Sequence, residues 1–268
     1  MACLLGATAC GAPLMKLPAG TGTPALDAAD ALAQATRACR GVRTLTAEVA
    51  VSGSAGGHRV RGRLLAGVAA PASARLEAVA PFGPPLFIFV ATNDDATLLL
   101  PRDDRALEHG PPDAVLDAVA GVPLDAADLH TTLTGCAPPV PQPGGRALGP
   151  DWRVVITSAR SAGYRLYLHR DGGAQPWRLV ASVHEGSTDF VWRADYRDFQ
   201  NGLPRLIRVT SGRSDPRGDR SFDLTLALSQ VEANVPLGAD VFRVEIPRSA
   251  DPITLAELRR ARTGIREN

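Results

Sequence analysis

Apolar and polar residues alternate along most of this chain, and clusters of turn residues interrupt the alternation at short intervals. Residues 76–101 show this most densely: LEAVAPFGPPLFIFVATNDDATLLLP holds three apolar runs, split by Pro-Phe-Gly-Pro-Pro and by Asn-Asp-Asp. Short strands joined by such turns predict an antiparallel sheet. The first break places a bulky aromatic, Phe82, at the tip of a proline-stiffened connection. Loop tips are normally polar because loops run over the surface. An exposed Phe82 predicts contact with lipid or an apolar partner; the alternative is a ring folded back onto the core.

The remaining pattern gives the element order. A helix is predicted over 25–39, with Leu26, Ala29, Leu32, Ala33 and Thr36 on one face and Gly41 ending it. Segments 44–54 and 58–68 form a hairpin across Ala55-Gly56-Gly57, and three strands follow as far as Leu100. A turn and short strand occupy 102–109. Short helices are predicted at 112–120 and 124–134, the second with Asp125 near its start. Residues 137–150 hold five prolines and read as a loop or crossover. Strands are then predicted at 152–157, 164–170, 177–184, 190–199, 205–210, 221–232 and 242–246, and a short basic helical tail at 253–262. Tyr164, Leu166 and Leu168 share one strand face, as do Phe222, Leu224, Leu226 and Leu228. No internal repeat is visible.

About twelve strands in series, with too few helices to cover both faces, predict an α+β fold. Its form would be a large curved antiparallel sheet, a half-open β-barrel, with a few helices covering the concave face. Such a barrel can leave an apolar cavity. A chain of 268 residues can bury a sizeable core in one such domain, or split in two. The expected organisation is a leader and tether over 1–24, the half-barrel over 25–250 and the basic tail over 251–268.

Composition adds exclusions. The net charge is +1, and no basic tract is interleaved with stacking aromatics, which argues against nucleic acid as a partner. No run of 18 apolar residues occurs, so no spanning helix is expected. The five histidines, His58, His109, His130, His169 and His184, have no HxxxH or HExxH spacing and read as surface residues. There is no nucleophile elbow, P-loop or GxGxxG. The Asp94-Asp95 and Asp103-Asp104 pairs sit in turns. No catalytic residue, metal site or cofactor is expected, so the chain reads as a non-enzyme.

The N-terminus begins MACLLGATAC. Small residues directly before Cys10, namely Ala7-Thr8-Ala9, resemble the lipobox of bacterial lipoproteins, whose cysteine is acylated and becomes the new N-terminus. The apolar stretch is short for a signal h-region and lacks a charged n-region. The alternative is an Ala/Gly-rich tail with a chance cysteine. Residues after Cys10 have tether composition. If Cys3 leaves with the leader and Cys10 carries lipid, Cys39 and Cys136 remain. In an oxidising compartment they are either a disulfide or two buried thiols. A bridge would close a loop of about 100 residues, worth ~4 kcal/mol in the chain-entropy model.

Several motifs occur in a recognisable order. A leading helix and hairpin over 25–68 precede Pro81-Phe82-Gly83 at a strand end. Gly121, Pro123, Leu124, Asp128, Leu129 and Gly135 follow, then Gly202-Leu203-Pro204 before a strand, then a last strand over 242–247. In this order the chain resembles the LolA/LolB group of bacterial periplasmic lipoprotein-binding proteins, nearest to the outer-membrane receptor type, LolB. The chain is longer than that type through 137–150 and its basic tail, and it carries the extra Cys39/Cys136 pair.

The resemblance implies a membrane-anchored lipoprotein in the bacterial cell envelope, on the periplasmic side of the outer membrane. It would bind acyl chains or lipoproteins in an apolar cavity and aid their placement in that membrane. Its partners would be those acyl chains, the membrane surface through Cys10, and a periplasmic lipoprotein carrier. Leu76, Phe87, Phe89, Leu98 and Leu100 are the candidate cavity lining, against the alternative of ordinary core packing. Phe82 would be the tip that touches the bilayer. A different class is also compatible with the residues: a structural envelope lipoprotein whose barrel is filled by its own side chains.

Overall fold

Alternation becomes one continuous sheet in the computed structural model, which describes residues 14–138, 144–158, 163–185, 191–211 and 221–264. The chain enters through a two-residue strand β1 (Thr23–Pro24) and helix α1 (Ala28–Ala35). The hairpin β2 (Thr44–Ala55) and β3 (His58–Ala69) follows, then β4 (Ser73–Val79), β5 (Ile88–Thr92), β6 (Asp95–Leu100) and β7 (Arg105–Gly110). Two helices, α2 (Pro112–Ala120) and α3 (Ala126–Thr134), interrupt the strands. The second run is β8 (Gly144–Ala147), β9 (Trp152–Ser158), β10 (Gly163–His169), β11 (Arg178–Glu185), β12 (Val191–Arg197), β13 (Leu206–Ser211) and β14 (Phe222–Ala233). A second two-residue strand, β15 (Asp251–Pro252), precedes α4 (Leu255–Gly264).

The strand order is β1-β8-β9-β10-β11-β12-β13-β14-β2-β3-β4-β5-β6-β7-β15. Among the described residues the two ends are not paired with each other, so the sheet of 15 strands stays open. Among the described residues all pairings are antiparallel except β15 with β7. The junction between the two runs is β14 on β2, where Phe222 meets Ala55 and Leu228 meets Val49. The expected fold class is therefore the observed one.

Local chemistry explains the boundaries. Gly56 and Gly57 both have positive φ (56° and 81°), which L side chains resist, and this lets β2 and β3 turn tightly. Along β2, Leu45, Ala47, Val49 and Val51 point to the core while their neighbours face out. α2 begins at Pro112, whose missing N–H costs nothing in the first turn, and α2 and α3 end on left-handed Gly121 and Gly135. α3 starts with a reciprocal capping box between Asp125 and Asp128.

One face of the sheet carries the helices: α1 lies over β8 to β11, α2 over β6, α3 over β3 and β4, and α4 against α2. The main core fills this space and includes Leu32, Leu45, Val68, Leu76, Phe89, Leu98, Val115, Leu116, Leu133, Leu166 and Ile207. A smaller cluster, Val154, Tyr167, Val180, Ala181 and Val183, sits apart from it, with Met15 and Leu17 packed against it. Residues 14–24, expected as tether, are thus partly laid against the sheet, and the Arg193 guanidinium donates to the Met15 carbonyl at 2.6 Å.

Three expectations need correction. The leading helix is shorter than 25–39: Ala25 donates its N–H to Gly145 and so is held by the sheet, and after Ala35 the Thr36 hydroxyl takes the Leu32 carbonyl. Its buried face is Ala28, Ala31 and Leu32, while Leu26 precedes the helix and is fully exposed. Residues 242–246 form no strand, because the Val241 and Arg243 carbonyls accept from the Arg75 guanidinium (3.0 and 2.9 Å) rather than from a neighbouring strand. The proline-rich segment 137–150 contributes β8 to the sheet; its residues 139–143 lie outside the described ones. The basic tail is helical as expected, and it adds to the core, with Ile253 and Leu258 buried.

Candidate functional site

The helix-covered face is apolar across its width. Leu76 of β4 stands opposite Phe89 of β5, Phe89 opposite Leu98 of β6, and Leu98 opposite Leu107 of β7. Directly opposed residues point to the same face, so these four make one transverse row, and all are buried. They share a cluster with Val115 and Leu116 of α2 and with Leu129 and Leu133 of α3. Phe87 and Leu100 are partly buried at its margin. The five candidate lining residues are therefore brought together, three as interior packing and two at the rim.

Cys39 and Cys136 are bonded, with Cα atoms 5.6 Å apart and 97 positions separating them in sequence. Cys39 lies in the turn after α1, and Cys136 directly follows the Gly135 cap of α3. The bridge ties the ends of two helices that cover different parts of the sheet. Cys10 lies outside the described residues.

The Phe82 loop points outward. Its base is closed by paired backbone bonds: Ala78 N–H donates to the Phe87 carbonyl (3.0 Å) and Leu86 N–H to the Ala78 carbonyl (2.8 Å). Gly83 takes φ +77°, a left-handed conformation that permits the reversal. Arg102, from the turn between β6 and β7, donates to the carbonyls of Phe82 (2.5 Å) and Pro84 (3.2 Å). The backbone is thus braced from outside while the Phe82 side chain stays 89% exposed. Leu86 and Val79 are exposed beside it. Three apolar side chains are thus exposed together at one hairpin end.

A polar cluster is buried under α3, and sequence reasoning missed it. Asp128 accepts from the Tyr164 hydroxyl at 3.4 Å. His184 stacks on Tyr164 (centroids 4.4 Å apart, planes 8° apart) and meets Trp192 edge-on at 5.2 Å. Its Nδ1 lies 3.9 Å from Asp128, and its side chain is only 14% exposed. His184 is therefore no surface histidine. Burial pushes the Asp128 carboxyl up to about 7, helped by the nearby Asp125 carboxylate. Burial also raises the Tyr164 hydroxyl and lowers the His184 imidazole, so both favour neutral forms. Tyr164, His184 and Trp192 are in register on β10, β11 and β12, which alternation could have shown. Asp128 reaches them through tertiary packing, which it could not.

Elsewhere, a groove of about 550 Å³ runs along α1, lined by Asp27, Asp30, Gln34, Arg37, Arg40 and Trp177. Its lining is mainly polar and offers no acyl site. Arg153 and Arg170 both lie over Trp177, at 4.8 and 4.5 Å from its ring, and Arg153 also bonds Asp27 through both carboxylate oxygens. Among the described residues no cluster of His, Cys, Asp and Glu could hold a metal ion, and no helix is long and apolar enough to cross a membrane.

No protein-family model matches the sequence, and no curated protein is significantly similar to it. Solved structures are similar in fold. A LolA superfamily protein from Nitrosomonas europaea superposes with a TM-score of 0.53 at 12% identity, over 82% of this chain and 99% of that one. A DUF1329 family protein from Desulfovibrio piger gives a TM-score of 0.51 at 11% identity, over 81% of this chain and 97% of that one. At such identities the likeness is one of fold alone: this open antiparallel sheet with its helices on one face is similar in fold to the LolA superfamily structure.

Proposed function

We propose that the protein binds acyl chains, free or as the anchors of lipoproteins, on the apolar face of its sheet and delivers them to a membrane of the bacterial cell envelope. The observation that carries this reading is Phe82, an 89% exposed aromatic whose loop is braced outward on a LolA-type sheet. Acyl chains do not cross water unshielded, since each CH2 removed from an apolar environment costs ~0.8 kcal/mol. The row Leu76, Phe89, Leu98 and Leu107 offers an equivalent surface once α2 and α3 yield it. In this reading Cys10 carries the lipid anchor, the protein sits on the periplasmic side of the outer membrane as LolB does, and a periplasmic carrier supplies the cargo. Phe82 meets the bilayer rather than lining the cavity.

The burial of Leu76, Phe89 and Leu98 favours a second reading, in which the sheet is filled by its own side chains and the protein is a structural envelope component. Displacement of a fluorescent fatty acid separates the two. Acyl binding predicts saturable uptake of the probe and competition by unlabelled fatty acid, and a filled core predicts no uptake. For the anchor, Cys10→Ala in the full-length exported chain should release the protein from membranes. Continued acyl labelling of that variant would contradict the assignment.

A further inference from the structure

The strand register places a second feature next to the end of β4, from which the Phe82 loop leaves. β4 ends at Val79, which stands opposite Arg63 of β3, so His58–Gly62 of β3 has no β4 partner. Past Val79 the chain leaves into the Phe82 loop at this corner of the sheet. Along β3, Arg59, Arg61 and Arg63 stand opposite Ser54, Ser52 and Ala50 of β2, and Leu65 opposite Glu48. The β2 residues between these, Val49 and Val51, are buried in the core. The three arginines therefore share the outward face, one every second residue, about 7 Å apart along the strand.

The stripe holds little compensating charge. Arg63 approaches Glu48 only to 3.7 Å and is 63% exposed. Arg59 and Arg61 are exposed and have no acidic partner among the described residues. Asp223, opposite Ser54 on the next strand, is taken by Arg208 through both carboxylate oxygens (2.8 and 2.6 Å). Asp103 and Asp104 belong to the turn after β6, which also carries Arg102 and so flanks the Phe82 loop on the side away from β3, three strands off; Asp104 accepts from the Ser249 hydroxyl (3.0 Å).

We propose that Arg59, Arg61 and Arg63 form a docking stripe for anionic phospholipid headgroups, set beside the Phe82 tip so that the protein meets an acidic membrane surface with this corner of the sheet. The proposal rests on the membrane-contact reading of Phe82 and adds which lipid is recognised and how the molecule is oriented. The two features work at different ranges. Guanidinium groups attract phosphates over a Debye length and fork onto them on contact. The exposed ring, with Val79 and Leu86, enters the interface at short range. Charges on an unpaired strand edge also discourage pairing with another chain, and the test separates this role from lipid recognition.

The test is co-flotation with vesicles of phosphatidylcholine alone or with one-third phosphatidylglycerol, using the full chain carrying Cys10→Ser so that no acyl anchor contributes. Each basic residue near an anionic surface strengthens binding about fivefold. The Cys10→Ser parent should therefore bind the anionic vesicles more tightly than the neutral ones, with the advantage lost at high salt. Arg59→Gln/Arg61→Gln should weaken that binding roughly 25-fold without affecting binding to neutral vesicles, and Arg59→Lys/Arg61→Lys should restore most of it. The parent's affinity in the glutamine variant, with binding abolished by Phe82→Glu, would overturn the stripe and leave the membrane-contact reading standing. Failure of the parent to bind either vesicle would overturn both.

Discussion

Phe82 is held outward through its backbone: the Arg102 guanidinium takes the Phe82 and Pro84 carbonyls, and prolines at 81, 84 and 85 stiffen the chain between. Phe82→Glu should therefore change stability by no more than about 0.5 kcal/mol, as at an ordinary surface site, yet impair transfer of an acylated cargo to liposomes. A large drop in melting temperature would contradict the exposed pose. Phe89→Ala is the opposite case. That side chain is wholly buried, and its loss should cost about 3–5 kcal/mol by denaturant titration. Asp128 gives a pH dependence with a definite sign. Its folded-state value, about 7, lies above the ordinary 3.8. The folded state thus binds the proton more tightly than the unfolded, and the contribution to stability is full below pH 3.8 and lost as pH rises to about 7. Asp128→Asn should raise the melting temperature more at pH 8 than at pH 5, flattening the profile between them. An equal effect at both would show that burial does not govern this carboxyl.

At the scale of elements, the Cys39–Cys136 bridge fastens the end of α3 to the turn after α1 across 97 positions. Reduction should lower stability by about 4 kcal/mol, a fall of roughly 10 °C in melting temperature for a chain of this size. No shift on adding reductant would contradict a bridge in solution. The bridged pair could be reasoned from cysteine count, whereas the choice between bridge and buried thiols needed the helix ends brought together. Elements with strong local signals were legible. α2 has Pro112 at its first turn and Gly121 at its end, and the β2–β3 hairpin has its glycine turn. β1 and β15 were not legible, because two residues carry no periodicity and their partners lie far away in sequence. Residues 242–246 alternate like a strand, but Arg75, some 170 positions earlier, takes the carbonyls that a neighbour would need. The same limit hid the buried cluster: the pattern puts Tyr164 beside His184, but only packing brings Asp128 to them. It also left the direction of Phe82 open, since Arg102 braces the loop from another turn.

For the whole molecule, the open sheet with helices on one face is the arrangement that can shelter an apolar ligand without exposing a large apolar surface when empty. The helices occupy the surface in the described state, and Leu76, Phe89 and Leu98 pack against them. On the proposed acyl-binding reading, ligand entry requires α2 and α3 to move, with the bridge at Cys136 keeping the end of α3 in place. The measurement that bears most directly on acyl binding is native mass spectrometry of the exported protein, purified without detergent and with its own acyl anchor removed by Cys10→Ser. Acyl binding predicts an adduct with the mass of a lipid or an acylated peptide, released on denaturation and displaced by added fatty acid. A spectrum showing only the bare chain, unchanged after incubation with excess fatty acid, would contradict it.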